Sequence, residues 1–230
     1  MVKKARPSKR RNQSLTRDRI IATSIELLDS SGEGGLTFRT LSERLATGPG
    51  AIYWHIANKS ALLAAACDAI VARTMAACRG GATPKATIRA IALAMFDAID
   101  VRAWLGSALM RAELHSPLVR IFEPIGQQVR ALGVPDKKQR ATVSALLSYI
   151  LGVGAQNASN GQFARTRGIE RSDFLEAVAT AWSQLDPDEY PFARSIAGQL
   201  PAHDDRMDFL AGIDLILRGI DSPRRQGSVR

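Results

Sequence analysis

Read for the spacing of its apolar residues, the chain resolves into helical segments and offers no strand. Ile21, Ile25 and Leu28 form the inner stripe of a first helix, which Thr16 can cap, Leu15 and Ile20 can staple and Gly32 ends. In the stretch GLTFRTLSERLATGPGAIYWHIANKSALL, residues 35–63, two short helical signals flank a tight break. Thr37 offers an oxygen to the free N–H groups that open a helix, and Leu36 before it can pack on Leu41. A helix over Phe38–Leu45 follows, with Leu41 and Leu45 on one face and Arg39, Thr40, Glu43 and Arg44 elsewhere. Gly48 stops or caps it. Pro49, with φ fixed and no N–H to leave unpaired, suits the first turn of a second short helix reaching to about His55. Asn58 is the predicted cap of a longer helix to about Arg79, striped by Leu62, Ala66, Ala69 and Ile70.

Gly80-Gly81, with Pro84 beyond, breaks the chain before the rest. Helices are predicted over Lys85–Asp100, Trp104–His115, Leu118–Leu132 with a kink at Pro124, and from Pro135 to about Asn157. Gly161–Gly168 reads as a loop. A helix capped by Ser172 runs through Trp182 and is ended by Pro187; a short piece around Phe192–Leu200 and a last helix over about Asp204–Asp221 complete the chain. The fold class is all-α. On the last helix Asp214, Arg218 and Asp221 share one narrow strip, and nearly everything else is apolar. Such a helix must be buried on more than one side, either within a large core of its own chain or between that core and a second copy. Ser148, Gly152 and Ala155 give the helix around Leu146–Ala155 small spots for close approach.

Two short helices joined by a tight turn suggest a helix-turn-helix, whose second helix enters the DNA major groove. The run Ile52-Tyr53-Trp54-His55, then Asn58-Lys59 and Ala61-Leu62-Leu63, resembles the TetR family of bacterial transcriptional regulators in its tetracycline-repressor-like branch. Tyr190-Pro191-Phe192 with the segment Phe209–Ile220 resembles the C-terminal domain of the same branch. Ala46, Thr47 and Gly48 depart from the family's usual turn, in which Gly stands at the first position. The resemblance implies a three-helix DNA-binding head and a helical-bundle body. In that body the last long helices of two subunits pair as a four-helix bundle and an inducer pocket is enclosed. It places Thr37, Thr40, Trp54, His55 and Lys59 near bases or phosphates. The candidate DNA-contacting set is these five with Arg17, Arg39, Thr47, Gly48, Pro49, Gly50, Ala51 and Tyr53. Pro49, Gly50 and Ala51 have no side-chain donor, so polar readout must come from elsewhere; Arg39 is the candidate for a guanine edge, or is instead a phosphate clamp or a solvated charge. The candidate dimer interface is Ser148, Gly152, Ala155, Phe209, Ile213, Ile216 and Ile220.

At 230 residues, 46% hydrophobic and 23% charged, the chain has the composition of a folded protein large enough for a head and a body. The expected parts are an arm at 1–13, a head at 14–62, a body at 63–222 and a tail at 223–230. Charge sharpens this division. Of a net +9, residues 1–19 hold +7 and residues 223–230 hold +3, which leaves the middle near neutral. A basic arm leading into a helix-turn-helix suits attraction to phosphate, although a solubilising tail has the same composition. No apolar run follows the arm, and Ser144–Ala155 reads as the longest nearly apolar stretch, too short to span a bilayer, so a cytoplasmic location is expected. Cys67 and Cys78 form no CxxC pair and read as buried thiols.

His55, His115 and His203 lie too far apart for metal-ligand spacing, and no cofactor motif survives inspection. Gly152-Val153-Gly154 lacks both the preceding strand and the third glycine of a dinucleotide loop. A ligand site is expected among Met95, Phe96, Trp104, Met110, Leu114, Leu118 and Phe122, with Glu113 and His115 as polar handles, although each could equally serve as ordinary core. The expected function is a ligand-responsive repressor that binds a palindromic double-stranded operator as a homodimer and is released by a small-molecule inducer. The alternatives are an all-α enzyme with an accessory basic head, which turnover of a bound compound would reveal, and a sequence-tolerant architectural DNA binder.

Overall fold

A computed structural model describes residues 15–111 and 117–221. The basic arm, the basic tail, and Glu113, Leu114 and His115 lie outside the described residues. Within them are eleven α-helices, one 3₁₀ segment and no strand. The chain divides into two compact units, residues 1–66 and 67–230, and the division falls inside one helix.

In the first unit, α1 (Arg17–Gly35) opens on Thr16, whose hydroxyl accepts the Arg19 N–H at 3.2 Å. Ile20, Ile21, Ile25, Leu27 and Leu28 bury its inner stripe. Gly32, at φ 62° and ψ −170°, breaks the run as expected, leaving a separate last turn. Leu36 and Leu41 are both fully buried, as a staple pair requires. α2 (Phe38–Leu45) opens on a reciprocal cap. Thr37 Oγ1 accepts the Thr40 N–H and Thr40 Oγ1 accepts the Thr37 N–H, each at 3.0 Å. α2 is closed by Ala46 rather than Gly48: Ala46 sits in the left-handed region at φ 52°, and its N–H reaches the Glu43 carbonyl. Gly48 instead stands ahead of α3 (Pro49–Tyr53) in extended backbone, and Ile52 anchors that helix in the core. Asn58 Oδ1 accepts the Ala61 N–H at 2.8 Å and so opens α4 (Lys59–Ala77) as predicted.

α4 is also the one described helix long and apolar enough by composition to cross a membrane, a stretch that the search for apolar runs missed in favour of Ser144–Ala155. Its apolarity comes largely from alanine, and it carries Asp68, which pairs with Arg120 at 2.6 Å, as a helix in a protein core can.

The second unit holds the rest of α4 and α5 (Pro84–Val101), α6 (Ala103–Met110), α7 (Leu118–Ala131), α8 (Asp136–Arg167), α9 (Arg171–Ser183), α10 (Pro191–Ile196), a 3₁₀ segment (Ala197–Ala202) and α11 (Asp205–Asp221). α8 is its axis, packing on α5, α6, α7 and α11. Ile88, Ile91, Met95 and Ile99 of α5 are buried, as are Ile121, Ile125 and Val129 of α7, which passes through Pro124 without ending. Gly106 of α6 lets Ala155 approach, since a Cβ there would stand 2.9 Å from that of Ala155. A Cβ on Gly212 would overlap the Tyr149 hydroxyl and ring. Tyr149 therefore lies flat against α11, donating to the Phe209 carbonyl at 3.2 Å and stacking on the Phe209 ring, which in turn stacks on Phe96. Burial, with Asp208 nearby, pushes the Tyr149 phenol above its ordinary value and keeps it a donor.

Two predicted boundaries are wrong. α8 does not stop near Asn157 but runs to Arg167, closing on Gly168 at φ 63°, so 161–167 is helix and not loop. α9 begins at Arg171 with Glu170 in the cap position, two residues before the predicted cap Ser172, which lies inside the helix, and no side chain caps it.

Candidate nucleic-acid interface and a cleft in the second unit

The surface formed by α2, the turn and α3 is open. Gly48, Pro49 and Gly50 are exposed, and a Cβ added at either glycine would meet nothing within 4 Å. Trp54 is 91% exposed and Tyr53 53%, with His55 exposed beside them; Thr47 and Ala51 are half-buried. The Tyr53 ring lies parallel to that of Phe38, centroids 4.3 Å apart and planes within 2°. Arg39 stands in solvent and pairs with Glu43 at 3.1 Å; an exposed i,i+4 pair of this kind is weak enough for a base or phosphate to displace. Arg17 is exposed on the first turn of α1.

Three predicted contacts have other employment in the structure. Thr40 is half-buried and its hydroxyl donates to the Gly35 carbonyl at 2.8 Å. The Thr37 hydroxyl is part of the reciprocal cap, although the residue itself is exposed. Lys59 Nζ donates to the Glu33 carbonyl at 2.7 Å, tying the start of α4 to the end of α1, where a cation also meets the negative end of the helix. Sequence reasoning missed Phe38 altogether; the signal available was an aromatic at the first position of α2, where packing on its own helix was not needed.

In the second unit the described members of the predicted ligand set differ in exposure. Met95 and Trp104 are buried in the core, Met110 points into solvent at 64% exposure, and Leu118 and Phe122 are half-buried. Phe96 alone of the set lines a cleft of about 890 Å³, built from α5, the C-terminal third of α8, α9, the 3₁₀ segment and the start of α11. A second chamber of about 290 Å³ shares Phe96, Asn157, Asn160, His203 and Asp205 with it and is backed by Tyr149 and Phe209. The rim is cross-braced. Arg206 donates twice to Asp97, at 3.1 and 3.0 Å, and Arg171 donates to Asp205 and to the His203 carbonyl, each at 3.0 Å. His203 lies between the carboxylates of Asp205 and Asp208, and Asn157 donates to Asp100 at 2.8 Å. Asn160, Gly161, Ala164 and Arg165, all in the unforeseen last turns of α8, form one wall of the larger cleft. Among the described residues no group of His, Cys, Asp and Glu is placed to hold a metal ion.

The predicted interface residues also divide. Phe209 and Ile213 are buried by their own chain and face inward, and Ala155 packs on Gly106. Ser148 is exposed, Gly152 opens onto empty space, and Ile216 and Ile220 are half-buried. Leu215, not in the predicted set, is 64% exposed on the outer side of α11.

The sequence pattern described as bacterial regulatory proteins, tetR family, matches residues 20–66. The solved structure of the transcriptional regulator SCO7222, a TetR from Streptomyces coelicolor, superposes with a TM-score of 0.80 at 49% identity, over 90% of this chain and 98% of that one. The class D tetracycline repressor protein of Escherichia coli is 26% identical over 90% of this chain and 89% of its own length. The S. coelicolor TetR family protein ActR in complex with actinorhodin shares the fold, with a TM-score of 0.76 at 19% identity over 90% and 96% of the two chains.

Proposed function

This chain belongs to the TetR family of bacterial transcriptional regulators, and we propose that it is a homodimeric repressor, released from a two-fold symmetric operator when a small molecule fills the cleft of its second unit. The DNA-reading surface is α2, the turn and α3, with Arg17, Thr37, Arg39, Tyr53, Trp54, His55 and Lys59 around the bare backbone of Gly48, Pro49 and Gly50. The observation that carries this reading is Gly50. It stands exposed at the second position of α3, and among the described residues nothing lies within 4 Å of where its Cβ would be. An open backbone of this kind lets a base edge approach closely in a major groove, which supports the reading.

Repression is supported by the tetracycline repressors among the relatives, and a ligand by the complex of ActR with actinorhodin. The cleft is large enough for such a ligand, and sets the rings of Phe96 and Phe174 among walls that are otherwise largely polar and charged. The dimer is supported by the exposed Ser148 and Leu215 and the half-buried Gly152, on the two helices that the family resemblance pairs across a two-fold axis. A regulator of this kind works in the cytoplasm, and no catalytic residue is proposed. The test is selection of bound fragments from random duplex, followed by sedimentation and a screen for compounds that release the selected site. The expected result is a dimer on a symmetric site, preferred about 10³-fold or more over random duplex. Equal affinity for both would make the protein a sequence-tolerant binder.

A further inference from the structure

The parallel stack of Phe38 on Tyr53 joins the first residue of α2 to the last residue of α3. α3 is only five residues long, and Pro49, Gly50 and Ala51 give its first turn no donor and no reach. Tyr53 is then the one large side chain that the helix itself presents, and it stands 53% exposed. An exposed tyrosine has two χ angles to fix, and an unsupported ring loses rotamer entropy when DNA orders it. Here one face of the ring is already covered by an aromatic held at a helix start, so the ring reaches the groove with its plane set.

We propose that Phe38 is a specificity-determining positioning residue, which holds the Tyr53 ring against the 5-methyl group of a thymine in the operator. The inference rests on the assignment of α3 to the major groove. Of the features on major-groove base edges, the thymine methyl alone is apolar, and it is the partner for an aromatic ring backed by a second ring and flanked by residues without donors. A phosphate, by contrast, is met by cations and hydroxyls, and a stacked phenylalanine adds nothing to that contact.

The test uses the full chain and the duplex it selects from a random pool, with each dT in a half-site replaced singly by deoxyuracil. Wild type should lose about fourfold in affinity at one position per half-site, the value of one methyl-sized group removed from water. Phe38→Leu, which keeps apolar volume without a planar face, should bind the dT and deoxyuracil duplexes alike at that position, and Phe38→Tyr should restore the difference. Helical content by circular dichroism checks that each variant is folded, and should Phe38→Leu be unfolded, Phe38→Met, which likewise keeps apolar volume without a planar face, reads the same coupling. If Phe38→Leu or Tyr53→Leu weakens the dT, deoxyuracil and random duplexes by one common factor, the stack is a phosphate anchor or a packing element and the proposal is overturned. If wild type itself selects no duplex above random, the groove assignment fails first, a result distinct from a selected site that shows no thymine dependence.

Discussion

At Ala46 the chain turns at φ 52° with a residue that has a Cβ, the one non-glycine at positive φ among the described residues. A left-handed alanine carries a steric cost of roughly 1–2 kcal/mol, of which the greater unfolded-state freedom of glycine would return part. Ala46→Gly should therefore stabilise the first unit by about 0.5–1 kcal/mol, slowing hydrogen exchange of the α2 and α3 amides by about two- to fivefold. Faster exchange in the variant would mean that the alanine methyl makes a contact outweighing its strain. The residues that were legible in advance are those whose role is local. Thr16, Thr37 and Asn58 satisfy helix N–H groups two or three residues away, and their chemistry announces it. Ala46 was legible only through the family resemblance, which puts Gly at the first position of the turn; nothing in alanine itself signals positive φ, and the sequence offered Gly48 two residues on. The Tyr149–Gly212 contact was illegible for a different reason: it joins residues 63 apart in number, and a glycine inside an apolar helix can mean packing against anything.

Among the elements, α8 shows where periodicity fails. Gly161 lies within it at an internal cost of about 1 kcal/mol, which reads in sequence as a break; the helix continues because Ala158 and Ala164 on either side of it are buried. The true stop, Gly168, is marked by positive φ, a property no count of apolar residues detects. Once the last turns were taken for loop, the cleft they form could not be foreseen. In the first unit the starts of α1, α2 and α4 escaped this difficulty because each lies at a residue with an evident capping side chain. A large residue at Asn160, which lines both chambers, tests the cleft directly. Asn160→Phe should raise the concentration of inducer needed for release by about tenfold or more while leaving operator affinity within about twofold. An unchanged release midpoint would move the ligand out of this cleft.

For the molecule as a whole, the sequence expects α11 to be buried on more than one side; its own chain buries one, through Phe209, Ile213 and Leu217. Ile213 is fully buried by its own chain and Leu215 is 64% exposed, two positions and about 200° apart on the helix. The two should separate folding from assembly. Leu215→Asp should give a folded chain that sediments as a monomer and loses operator affinity, since a charge left unpaired in a closed interface costs about 3–5 kcal/mol. Ile213→Asp should lower the thermal midpoint instead, whatever the protein concentration. A Leu215→Asp chain that remains a dimer with full affinity would place the interface elsewhere. Charge at this scale was legible without any structure: the surplus sits in the terminal segments, so the described core is close to neutral.

The indole of Trp54, bare to solvent on the reading surface, differs from that of Trp104, which is 7% exposed in the core of the second unit. The molecule thus carries an optical report of its own occupancy. Free protein should emit partly at the long wavelength of hydrated tryptophan and be quenched readily by iodide; docking on DNA should shield that fraction, and Trp54→Phe should abolish the difference. If iodide quenching is the same with and without a saturating operator duplex, Trp54 remains in water when DNA binds and lies outside the docked surface.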